Sequence, residues 1–248
     1  MTKPDTRQRM LAKIRDTITR SGYHIYAIQG DAAPGYLYTI GLSPRLGYEL
    51  IFAGGTAYGR GLMVRAINRF AETLTPEMDP YDVTLEIEGL GPVAPAWVDK
   101  SWRQEMLLGA LDYYDVADIK AAQIMPQDEE YLCFDIPNLY DPFVPEDDPA
   151  WRWKDTPCPF DLPSGAMVYC DWDLVLGYAP SEVRRVEEEV WQIFSGDLPE
   201  DKSKLHCLPL VLVLAFFQSL APAAHLPVGK GLIRDDADDR PDAPWQDW

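Results

Sequence analysis

Six prolines fall between residues 138 and 163, and a long helix or a central strand does not survive that density. Proline lacks the backbone N–H that a helix interior and a paired strand both use. Regular structure is therefore expected on either side of this break. We divide the chain into an α+β unit over 1–137, a proline-rich acidic loop over 138–163, an α/β extension over 164–234 in the same globule, and an acidic tail over 235–248. The loop carries Glu146, Asp147 and Asp148, followed by Trp151 and Trp153. Two tryptophans are costly to leave in water, so the loop is expected to be ordered, wrapped on the surface and pinned by its aromatics.

Before the break, Leu11, Ile14 and Ile18 recur at helical spacing over 5–20, and Gly22 supplies a stop. Residues 23–29, 36–40 and 49–53 are rich in aromatic and β-branched residues and read as strands, the first two joined by the turn Gly30–Gly35. Helical spacing returns over 58–74. Val83, Leu85 and Ile87 then alternate with polar residues, which predicts a strand over 82–88 with one wet face. A proline-rich passage at 91–95 leads to a helix over 101–114 and two short strands near 119–125 and 130–135. After the break we expect a strand around Ala166–Tyr169 and a helix opening at Ser181. Val183, Val186, Val190, Ile193 and Phe194 form its apolar stripe, while Glu187, Glu188 and Glu189 face away. Cys207–Phe217 reads as a buried helix or strand. The sum is an α+β fold, a mainly antiparallel sheet with packed helices and a C-terminal α/β extension.

The net charge of −18 is distributed unevenly. Residues 1–127 carry 15 acidic against 13 basic side chains, and residues 128–248 carry 25 against 9. A field of one sign opposes compaction, and a basic partner, bound cations or a solvated tail are the usual reasons for it. Binding to nucleic acid or to anionic membranes is disfavoured, because both need a basic surface. The first residues show no secretory signal, and no apolar run is long enough to span a bilayer. Cys133, Cys158, Cys170 and Cys207 are widely spaced, as expected of reduced thiols in a cytoplasmic protein. A zinc site from Cys158, Cys170, His206 and Cys207 would need adjacent ligands in poor tetrahedral geometry, so no metal and no cofactor is expected.

The segment Gly22–Gly55 resembles a bacterial family of unknown function, DUF4262. The likeness rests on Tyr38-Thr39-Ile40-Gly41-Leu42, preceded by Asp31 and Pro34 and followed by Glu49-Leu50-Ile51. A weaker echo is Tyr113-Tyr114 with Ala122 to Asp128, and the resemblance spans roughly 5–136. Gly47-Tyr48 stands where many members have His-Pro. Met125-Pro126-Gln127-Asp128 replaces a Trp-Pro-Asp. The resemblance implies a shared fold. An activity that depended on that histidine would be lost here, and fold alone does not settle function.

Two functions remain in view. The first is a non-enzymatic acidic protein that binds a basic protein, such as an immunity protein that neutralises a bacterial toxin. Its contacts would be Glu146, Asp147, Asp148, Trp151, Trp153, Asp171, Asp173, Glu187 and Glu188. The second is a small-molecule-binding or enzymatic domain with a pocket at the Asp31 turn and the Tyr38–Leu42 block. That pocket would draw on His24 as a base, with Asp31, Tyr38, Thr39 and Glu49. No established catalytic signature is present, and the three histidines lie in no nucleophile motif.

Overall fold

A computed structural model describes residues 6–196, 201–234 and 243–248. The first sheet begins behind helix α1 (Thr6–Ser21), with strands β1 (His24–Ile28) and β2 (Tyr36–Ile40) forming a hairpin. A short helix α2 (Ser43–Leu46) leads into β3 (Glu49–Ala53), and helix α3 (Gly59–Thr73) follows. Strands β4 (Leu85–Ile87) and β5 (Gly91–Trp97), helices α4 (Lys100–Met106) and α5 (Leu108–Tyr114), and strand β6 (Ala121–Pro126) complete the unit. The strand order is β1-β2-β3-β6-β5-β4, with β3 and β6 parallel and every other pair antiparallel.

Every residue of β3 is buried, as a continuous apolar run in a two-sided sheet should be. Leu50 and Phe52 pack with α3 through Ile67 and Phe70. Ile51 and Ala53 pack on the other face with Trp102, Met106 and Trp151.

The second sheet comprises β7 (Met167–Cys170), β8 (Glu182–Glu187), β9 (Val190–Phe194), β10 (His206–Pro209), β11 (Gly231–Ile233) and β12 (Gln246–Asp247). Helices α6 (Trp172–Leu176) and α7 (Leu210–Phe216) accompany it. The order is β10-β7-β9-β8-β11-β12, again with one parallel pair, β7 and β9. Leu174, Trp191, Ile193, Val213 and Leu220 lie in its core. Phe134 bridges to this body, its N–H donating to Val175 O at 2.9 Å and its ring 4.8 Å from that of Phe216.

The molecule is α+β, and several elements depart from the sequence reading. The helix expected at Ser181 is the β8–β9 hairpin. Its apolar stripe is mostly β-branched (Val183, Val186, Val190 and Ile193), and Trp191 and Ile193 are buried with Gln192 between them, a period of two rather than 3.6. The proline-rich passage 91–95 is part of β5. Pro95 sits where β5 has a neighbour on one side, and Pro92 still accepts from Gln127 N at 2.8 Å. The strand expected over 82–88 shrinks to Leu85–Ile87, and the helix over 101–114 breaks at Leu107. Residues 130–135 form no strand, and a 3-10 turn occupies Glu129–Tyr131. Between 138 and 163, the regular structure is one 3-10 turn at Pro149–Trp151. Of the tail over 235–248, residues 235–242 lie outside the described residues. The remainder is docked rather than free: β12 pairs with β11, and Trp245 Nε1 donates to Ser219 O at 2.7 Å.

Candidate functional site

The Tyr38–Leu42 block closes around a carboxylate. Glu49, the first residue of β3, is 0% exposed. Its Oε2 accepts from Thr39 Oγ1 at 2.6 Å and from Leu42 N at 3.3 Å. Its Oε1 accepts from Tyr114 OH at 2.6 Å, Ser43 N at 2.9 Å and Gly41 N at 3.1 Å. Burial pushes the Glu49 carboxyl above its usual range, and the donors from Thr39, Tyr114, Ser43 and Gly41 pull it back. Gly41 has φ +121°, and a Cβ there would press on Tyr23 Cα at 3.0 Å. The block is thus a clamp that fixes the β2–β3 connection.

Tyr38 is buried too. Its ring stacks with Tyr26 at 5.3 Å and Tyr36 at 6.2 Å, and its hydroxyl accepts from Gly109 N at 3.0 Å. Burial raises its phenol well above the ordinary value. The expected small-molecule pocket is therefore not assembled. In the hairpin register, His24 lies opposite Ile40 while Ile28 lies opposite Tyr36. The Asp31 turn and the Thr39–Glu49 clamp are thus at opposite ends of the strands, roughly 15 Å apart. His24 is half-buried against Tyr26, and burial lowers its pKa.

Two more carboxylates act the same way. Asp135, 2% exposed, accepts from Gly55 N and Thr56 N, both at 3.0 Å, and from Thr56 Oγ1 at 2.6 Å. Desolvation raises its carboxyl, and these donors oppose the shift. Asp171, 5% exposed, caps α6 through Leu174 N at 3.0 Å and holds Ser195 N and Gly196 N at 3.1 and 2.8 Å. Asp171 was expected on a partner surface, and the structure corrects that: its carboxylate is consumed by backbone donors.

Trp151 is corrected likewise. It is 2% exposed, donates from Nε1 to Asp135 O at 2.9 Å, and packs edge-on to Trp102 at 5.7 Å. Trp153 is half-buried on Phe160, and Asp148 is half-buried and accepts from Asn138 N at 3.2 Å. Glu146, Asp147, Asp173, Glu187 and Glu188 are exposed, the last two at the β8–β9 turn. Tyr140, Tyr178 and Tyr169, at 58%, 57% and 41% exposure, are exposed aromatics of the same stretch of sequence.

Cys170 pairs across the ladder with His206, while Cys207 pairs with Tyr169. Cys170 and Cys207 therefore point to opposite sheet faces, and the zinc tetrad is not brought together. Among the described residues, no group of His, Cys, Asp and Glu is placed to hold a metal. No helix there is long and apolar enough to cross a membrane.

Open space gathers at the Asp31 turn. Asp31 lines three cavities of about 260, 660 and 450 Å³. The first adds Thr56, Arg60 and Leu212. The second adds Glu105, Trp153, Lys154 and Asp155, and the third adds Cys158, Phe160 and Val211. The turn and the tryptophan-bearing loop, 120 or more residues apart in sequence, thus border one cleft. Sequence periodicity carries no signal for that pairing, nor for the clamping roles of Asp135 and Asp171.

Fold and site together define a two-sheet α+β protein in which buried carboxylates tie the turns and the excess acid lies outside. Residues 17–131 match the model of a family described as a domain of unknown function (DUF4262), and over that span the chain is similar to it. No curated protein and no solved structure matches the chain.

Proposed function

We propose that this is a non-enzymatic acidic binding protein that occludes a basic protein partner, as an immunity protein does when it neutralises a bacterial toxin domain. The observation that carries the reading is the state of the charges over 138–196, where twelve acidic side chains face four basic ones. All four cations are already engaged. Arg152 donates to Pro149 O at 3.1 Å, and Lys154 is held by Asp155 at 2.6 Å and by Glu105. Arg184 stacks on Trp248 at 3.3 Å, and Arg185 donates to Leu226 O and Glu188 O. Among the described residues, the exposed carboxylates of Glu146, Asp147, Glu187 and Glu188 form no ion pair. A basic partner would relieve their mutual repulsion and be steered to them, with Tyr140 and Tyr178 supplying aromatic anchors.

The alternative, a small-molecule or enzymatic site, keeps the cavities at Asp31 but loses Tyr38, Thr39 and Glu49 to the interior. The test is to express the product of each gene flanking this one, alone and with this protein. The expected outcome is that one product arrests growth, that co-expression relieves the arrest, and that the two co-elute at low ionic strength and part at high. If no flanking product is toxic, or none co-elutes, the reading fails.

A further inference from the structure

The second and third cavities share Gln29, Asp31 and Ala32 and continue along the loop from Trp151 to Met167. They make one groove, floored by the β1–β2 turn and walled by that loop. Its lining is mixed: Tyr36, Leu108, Trp153 and Phe160 supply apolar surface beside polar and charged groups, and Leu108 is 63% exposed. Three carboxylates, Asp31, Glu105 and Asp155, border it against one ammonium, that of Lys154. Lys154 engages Glu105 Oε2 and Asp155 Oδ2. The second oxygen of each has no hydrogen bond among the described residues.

Half-buried rings and an exposed leucine with acid at intervals leave apolar surface facing water. They match an extended chain, whose successive side chains alternate in direction and so offer cation and hydrocarbon in turn. We propose that this groove receives an extended segment of the partner in which arginine or lysine alternates with apolar residues. The basic side chains meet Asp31, Glu105 and Asp155, and the apolar ones lie on Tyr36, Trp153 and Phe160. The proposal rests on the reading of the protein as a binder of a basic partner, and it names where and through what that partner docks. An acidic segment is rejected at the same three carboxylates.

Cys158 lines the groove and Cys207 lies exposed elsewhere, while Cys133 and Cys170 are buried. The Cys207→Ser protein therefore carries one accessible thiol among the described residues, inside the groove. Its alkylation rate is measured with the synthetic hexapeptide Arg-Leu-Arg-Leu-Arg-Leu, with Glu-Leu-Glu-Leu-Glu-Leu, and with hexa-arginine. The alternating basic peptide slows alkylation by about tenfold at saturation, and the acidic one leaves it unchanged. Hexa-arginine, lacking the apolar half, protects less than the alternating peptide.

Asp31→Asn and Asp155→Asn, both at exposed positions, each weaken the alternating peptide by about fivefold; thermal unfolding is unaltered in Asp31→Asn and moves only slightly in Asp155→Asn, which loses the exposed pair with Lys154. Equal protection by the acidic peptide, or none by the basic one, overturns the proposal. So does a toxic flanking product that binds wild type and both variants alike and leaves Cys158 reactive, in which case the broader reading stands. Protection by the basic peptide with no flanking partner found upholds the groove and sinks the broader reading.

Discussion

The two sheets are variants of one plan. Each has six strands and a single parallel pair, β3–β6 in the first and β7–β9 in the second. A parallel pair needs a crossover, and its ends leave backbone donors to be satisfied. In each sheet a buried carboxylate stands at or beside one strand of the parallel pair and gathers donors from the neighbouring connections. Glu49 opens β3 and collects five donors from the β2–β3 connection and Tyr114. Asp171 follows β7 and collects the start of α6 and the residues just after β9. The difference lies in surroundings. Glu49 is sealed in a unit whose residues are nearly charge-balanced, while Asp171 sits at the margin of a body rich in uncompensated acid. The inward carboxylates of the two halves do the same job, so the excess charge of the second half is a property of its surface.

The largest break is expected where the two bodies meet. Gly54 has φ +69°, and a Cβ there would overlap the Asp135 carbonyl group. Gly54→Ala combines that overlap with a strained backbone and is expected to cost about 3 kcal/mol or more. Urea unfolding monitored by tryptophan fluorescence checks it. A loss below about 1 kcal/mol would mean that the junction is loose and the two sheets are independently stable.

The clamps come next. Glu49→Gln puts an amide donor among five donors, and we expect a loss of about 2–4 kcal/mol. Asp171→Asn keeps the cap on Leu174 and turns an NH2 toward Ser195 and Gly196, for about 1–2 kcal/mol. Equal losses in chemical denaturation would erase the distinction between a sealed clamp and a marginal one.

The same contrast decides what the sequence discloses. The first clamp is readable because four of its five donors, Thr39, Gly41, Leu42 and Ser43, lie close together in sequence and the block resembles a family, although the sequence assigns it to a pocket rather than to the interior. Asp171 and Asp173 flank Trp172 and look like one acidic face. Nothing local says that Asp171 turns inward to partners at 174, 195 and 196. The β8–β9 hairpin reads as a helix in sequence because Val183, Val186 and Val190 also satisfy helical spacing. Their β-branching is the better guide, and the two-residue turn at Glu188-Glu189 has no glycine to announce it. The loop from 138 to 163 is legible as a break in regular structure. That it meets the Asp31 turn is a tertiary fact with no period to betray it.

Surface charge is the third test. Reversing Glu187 and Glu188 to lysine touches no clamp, so unfolding should move by less than about 0.5 kcal/mol. Association with a basic partner should weaken by about tenfold at low salt, with the gap closing as ionic strength rises. A matching reversal in the first sheet, Glu86→Lys with Glu88→Lys, should leave association almost unchanged. Calorimetric titration compares the two, and equal effects would show that net charge rather than the acidic face governs binding.

The smallest effect belongs to Asp148, where fold and surface overlap. Partial burial, with Asp147 and Asp141 nearby, pushes its carboxyl up to about 6 despite the bond from Asn138 N. A carboxyl raised in the folded state binds its proton more tightly there than in the unfolded chain. Its stabilising contribution is therefore complete below the unfolded value of about 3.9, and is lost as pH rises through about 6. Asp148→Asn keeps an acceptor for Asn138 and removes that penalty. The variant should then be the more stable by about 1 kcal/mol at neutral pH, after allowing for solvent screening, and the advantage should vanish by about pH 4. Thermal unfolding across that range reads it directly. A variant less stable at neutral pH would place Asp148 with the clamps rather than with the acidic surface.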